Sequence, residues 1–155
     1  MTTSDEKTPL EAKIDYVLTE ARVILPGAQA MLGFQLAIVL TSGFGQLPDG
    51  SKTVHGVALG LTAIATVLLI SPAVFHRVIY KGENEPRFHR LASRLVMSST
   101  VFLAAGLAAD SYVVALKISG DTLLATALAL FALVILLALW IVWPWVMSVG
   151  SDLRR

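Results

Sequence analysis

Four long apolar segments, parted by short polar breaks that hold almost every charge, fill residues 23–147. Each is long enough to cross a hydrocarbon core of ~30 Å, which takes roughly 20 residues at the helical rise of 1.5 Å. A backbone in lipid has to satisfy its own N–H and C=O groups, so such segments fold as helices and pack together. The expected fold is all-α, an integral membrane four-helix bundle with spans at residues 23–44, 54–75, 91–116 and 122–147.

Composition narrows this further. Hydrophobic residues make up 55% of the 155 and charged residues 15%, more apolar than an ordinary soluble domain. The spans and their turns use nearly all of the chain after residue 22, so a separate catalytic domain is not expected within it. With no cysteine there is no disulfide, thiolate metal site or thiol nucleophile. No phosphate-binding loop or catalytic triad signature is visible either, so the chain is not expected to be an enzyme.

Charge placement gives an orientation. Lys7, Lys13, Arg22, Arg77, Lys81, Arg87, Arg90, Arg94, Arg154 and Arg155 fall on one side of the spans, and only Lys52 and Lys117 on the other. Basic residues favour the cytoplasmic side, so both termini and the polar loop at residues 76–90 are expected there, in a bacterial inner membrane. Trp140, Trp143 and Trp145 add an interfacial belt at that end of span four. Anchoring to the bilayer explains these bases without a nucleic-acid partner.

Residues 1–22 read as a polar tail followed by a short amphipathic helix, and residues 148–155 as a second tail. Leu10, Ile14, Val17, Leu18 and Ala21 make an apolar stripe at helical spacing opposite Glu11, Lys13 and Asp15. That helix is expected to lie along the cytoplasmic interface or to pack under the bundle. The first sixteen residues mix acids and bases and lack the pattern of a cleavable leader, so span one is expected to act as the anchor.

Several polar residues inside or beside the spans are candidates for chemistry. Gln29 and Gln35 lie within span one, where unsatisfied amides are costly, so both are expected to face protein or water. They stand about 600° apart around the helix, on different faces. Asp110 is the one acid in an apolar segment, 16 residues past Arg94 and so roughly 24 Å along the axis. Its candidate partners are His55 and Lys52 at the start of span two. At the cytoplasmic level, Glu20, Arg22, His76, Arg77, His89, Arg90 and Arg94 cluster, and Glu20 is expected to pair with one of the arginines. His55 and His76 are 21 residues apart on one helix, and His76 with His89 has no third ligand, so neither metal nor cofactor is expected.

Gly56 and Gly60 form a GxxxG step, and Gly33 adds a small residue in span one. Such positions let helices approach closely, within the subunit or between copies.

Glu20 and Arg22 form an E-x-R pair, Gly27 and Gln29 a G-x-Q step followed by Phe34, and Pro72, His76 and Arg77 a P-x-x-x-H-R close to span two. In these features, over roughly residues 10–115, the chain resembles an uncharacterised bacterial family of small four-span membrane proteins, some labelled sodium/proton antiporter. It departs from that pattern at Pro26, where a small hydroxylated residue is usual, and at Gln35, where an apolar one is commoner. The resemblance implies architecture and no established activity.

Two functional expectations follow. One is an oligomeric ion- or proton-linked transporter or channel, with Glu20, Gln29, Gln35, His76, Arg77 and Asp110 as determinants. The other is an accessory subunit or scaffold that docks a membrane protein partner through its cytoplasmic loop.

Overall fold

The computed structural model describes residues 9–152, the side chains of residues 150–152 excepted. Helices α1 (Leu10–Val39), α3 (Asp49–Val78) and α4 (Pro86–Ser119) are unbroken, and a single turn, α2 (Ser42–Gly45), follows α1. The last span begins as α5 (Thr122–Leu137), passes through a π-helical turn at Ala138–Val142 and ends as α6 (Trp143–Asp152). Four helical stretches are long and apolar enough to cross a membrane. There is no strand among the described residues.

The amphipathic segment is not a separate interfacial helix. It is the first part of α1, whose 30 residues measure about 45 Å and so project past the ~30 Å core. Ile14, Ala21, Ala28 and Gln35 recur every seventh residue as buried positions, so one face runs through both parts. Ile14, Val17 and Ala21 pack with Phe88 and Ala92, which draws the stripe against α4 rather than onto a lipid surface. Pro26 leaves the helix unbroken while lacking the N–H that would bond the carbonyl of Arg22, and it lies exposed. Residues 1–8, most of the expected polar tail, and the basic end at residues 153–155 lie outside the described residues.

The loop is also shorter than residues 76–90. His76 and Arg77 belong to the last turn of α3, and His89 and Arg90 to the first turns of α4. Only residues 79–85 connect them, turning through Lys81 and Gly82 at φ 50° and 84°. At the other end, Gly120 takes a left-handed φ of 68° to close α4. Asp121 then caps α5 by accepting from the N–H groups of Leu123 and Leu124 at 2.8 and 3.3 Å.

Helices α1, α3 and α4 form the core, with the α3–α4 seam the most extensive, while α5 has substantial contact with α4 alone. The tightest approach centres on Gly106 of α4. A Cβ there would lie 2.8 Å from Thr62 Oγ1 and 3.4 Å from both the Ala58 carbonyl oxygen and Met31 Cε, so three helices meet at this point. Thr62 and Thr66 satisfy their buried hydroxyls on the carbonyls of Ala58 and Thr62, at 3.0 and 2.9 Å. The glycines singled out for packing behave differently: at Gly33, Gly56 and Gly60 a Cβ would meet no described atom within 4 Å. They are not close-packing positions within this subunit.

Pro144 accounts for the π turn. Without its N–H the carbonyl of Trp140 has no α-helical donor, and the helix widens so that the N–H of Trp143 reaches the carbonyl of Ala138.

Candidate functional site

At the Lys52/Lys117 end of the bundle, α1, α3 and α4 each contribute one polar side chain to a single cluster, with Gln35 and His55 buried and Asp110 partly exposed. Gln35 is 2% exposed because it continues the seventh-residue core face of α1. Its Nε2 donates to Asp110 Oδ2 of α4 at 2.6 Å. His55 of α3 is 3% exposed, and its Nε2 lies 3.0 Å from the main-chain carbonyl oxygen of Gln35. Its Nδ1 lies 3.3 Å from Asp110 Oδ1, close but not in hydrogen-bond geometry. The ring of Phe44, held by the Thr41-capped α2 turn, closes on His55 edge to face at 5.3 Å.

These partners dictate where protons sit. A carbonyl only accepts, so Nε2 of His55 carries a hydrogen. If Nδ1 and Asp110 were both bare, two lone pairs would face each other at 3.3 Å with one net negative charge between the helices. One proton, on Nδ1 or on the carboxyl, removes both problems and leaves the pair neutral overall. Asp110 Oδ1 and Gln35 Oε1 are buried and make no hydrogen bond, so the free capacity is for accepting.

A cavity of about 570 Å³ adjoins the cluster between α1 and α4. Gln35, His55 and Asp110 line it together with apolar residues, among them Phe34, Ile38, Phe44 and Val113, and Lys117. Lys52 does not take part, being paired with Asp49 at 3.2 Å. A second cavity of about 490 Å³ lies toward the arginine-rich end, between α1, α4 and the π turn, lined by Glu20, Ser93, Thr100 and Trp140.

The remaining candidates stand apart from this cluster. Gln29 is exposed on the outer surface, not turned to protein. Glu20 is exposed with no ion pair among the described residues, so the expected pairing with an arginine does not form. Arg22, Arg77 and Arg94 are exposed at the same end. The rings of His76 and Tyr80 both pack on Phe88, tilted, with centroids 4.7 and 5.2 Å away, and His76 Nε2 is buried without a hydrogen-bond partner. Among the described residues no three histidine or carboxylate side chains converge to hold a metal ion. His55 is the site residue that polarity along the chain marked least, as a lone histidine at the start of an apolar span.

No curated protein and no solved structure matches the chain. A family model does match it over residues 4–144. This multi-pass helical protein belongs to the DUF6328 family, a family of unknown function.

Proposed function

We propose that the protein is a non-enzymatic, proton-linked transporter whose proton is held at the Gln35–His55–Asp110 cluster. The observation that carries this reading is the ring of His55, fixed on a main-chain carbonyl at 3.0 Å by one nitrogen and facing Asp110 at 3.3 Å with the other. An acid and a histidine in apolar spans are expensive to place there unless they serve an ion or proton path. The preponderance of bases at the opposite end favours a cytoplasmic location for that end, putting the cluster in the outer half of an inner membrane.

A route is supported by the two cavities, both of which are lined by residues of α1 and α4. Leu103 lines the arginine-side cavity and Asp110 the other, seven residues on, roughly 10 Å along the axis. The two cavities are separate and share no lining residue, so the route is interrupted rather than open. An interrupted route with a proton site on one side suits alternating exposure better than a standing pore.

The test is flux in sealed liposomes holding a pH-sensitive dye, with imposed sodium, potassium and proton gradients. The wild type should move protons faster than empty vesicles, and Asp110→Asn should abolish the difference. Equal traces for wild-type and empty vesicles under every gradient would contradict the reading.

A second reading is favoured by one observation. Gly56 and Gly60 leave a small-residue face of α3 uncovered within the subunit, the kind of surface on which another helix can pack closely. In this reading the chain is an accessory subunit, or a homo-oligomer formed through that face. Gly56→Leu with Gly60→Leu would then dissociate a complex recoverable in gentle detergent, whereas a single unchanged monomer peak for both forms argues against it.

A further inference from the structure

We infer that the cavity beside Asp110 takes an apolar organic cation, a protonated amine on an aromatic or aliphatic body, and that the cation exchanges with the proton of the cluster. This rests on the proton-linked reading above and names its substrate class.

The chemistry of the free atoms selects the ligand. The donors of the cluster are engaged, Gln35 Nε2 on Asp110 and His55 Nε2 on the Gln35 carbonyl. Gln35 Oε1 has no partner, and Asp110 Oδ1 has only the 3.3 Å contact with His55 Nδ1; both are acceptors, so a ligand that gains hydrogen bonds here must bring N–H or O–H groups. Gln35 is 98% buried, since only 2% of it is exposed, and it lines the cavity. A small bare metal ion would need more oxygen ligands than these two side chains offer. The walls are largely apolar and include the aromatic residues Phe34 and Phe44, a lining that suits a cation on a hydrophobic body. A volume of about 570 Å³ lies within the range of small-molecule sites, far beyond that of a proton or a bare ion.

Charge then couples the two occupants. With its proton the His55–Asp110 pair is neutral; without it the pair carries one negative charge, which an ammonium group restores to neutrality. Both together would put an extra positive charge in the membrane, so arrival of the cation favours departure of the proton. The charged and titratable neighbours are few. On α3, Lys52 is occupied by Asp49. On α4, Lys117 lies seven residues beyond Asp110, roughly 10 Å toward the interface, where its long stem can carry the charge to water. Between Val23 and Val39, α1 has no ionisable residue, and α5 has none.

The test is isothermal titration calorimetry of the purified full chain in detergent with naphthylethylammonium, in buffers of different ionisation enthalpy. Naphthylethanol and naphthylacetate serve as neutral and anionic controls. The cation should bind saturably with release of about one proton, and affinity should fall about tenfold per pH unit once the site is protonated. Asp110→Asn should weaken it on the order of 30-fold or more. Ala30→Phe, at a residue that lines the cavity but lies outside the cluster, should weaken it about tenfold. Circular dichroism and gel filtration of both variants report that they fold. The inference is overturned if the neutral alcohol binds as tightly, if no proton is released, or if Asp110→Asn binds like the wild type. Absence of amine binding with Asp110-dependent proton flux intact would sink the substrate class alone; loss of both would sink the proton-linked reading as well.

Discussion

Gln35 Nε2 donates to Asp110 Oδ2 at 2.6 Å, joining α1 to α4 across 75 residues of sequence. The same glutamine offers its main-chain carbonyl to His55, so one residue of α1 fixes both members of the ionisable pair. Removing the side chain should therefore disturb stability modestly and proton handling strongly. Gln35→Leu is expected to lose about 1 kcal/mol of stability, the usual worth of an interhelical hydrogen bond in a membrane. Detergent unfolding followed by circular dichroism measures the first effect, and liposome flux the second.

His55 separates position from proton transfer. His55→Gln can keep a donor toward the Gln35 carbonyl but has no second nitrogen to share a proton with Asp110. The variant should fold and reach the membrane while its proton flux falls by on the order of tenfold or more. Wild-type flux in this variant would show that Asp110 works without the imidazole.

Packing gives an independent prediction. Gly106→Ala brings a methyl group to 2.8 Å from Thr62 Oγ1, a buried atom held on the Ala58 carbonyl and unable to swing away. Overpacking of this kind should cost about 1–3 kcal/mol. Gly33→Ala meets nothing within 4 Å and should leave the unfolding of the subunit unchanged within about 0.5 kcal/mol. Equal effects at the two sites would mean that the three-helix contact at Gly106 is not as close as described.

The π turn can be removed. Pro144→Ala restores the N–H that the carbonyl of Trp140 lacks, so the helix should tighten to ordinary α geometry across Ala138–Val142. Amide hydrogen exchange at residues 142–146 should slow in the variant. Unchanged exchange would place the cause of the widening elsewhere.

The four spans were legible because lipid imposes length and apolarity directly on sequence. Asp110 stood out for the same reason, as an acid where water is absent, and His55 was within reach as one of its two candidate partners. Gln29 and Gln35 look alike along the chain, yet only Gln35 falls on the seventh-residue face that packs inward. The amphipathic start of α1 was legible as a stripe, but its docking on Phe88 and Ala92 depends on where α4 begins, a tertiary fact. Glycine spacing marked Gly56 and Gly60, whereas the closest approach uses Gly106 opposite Thr62, a pairing set by the register of two helices rather than by a motif within one.

The central claim is that the cluster holds one proton between His55 and Asp110, and nitrogen NMR of the imidazole reads it most directly. The protein would carry 15N-histidine with His76→Gln and His89→Gln, leaving His55 as the one labelled residue. The account requires Nε2 to stay protonated throughout, and the Nδ1 signal to respond as the pH is raised in the wild type but to change its response in Asp110→Asn. A ring protonated on Nδ1 and bare on Nε2, or a titration untouched by Asp110→Asn, would contradict it.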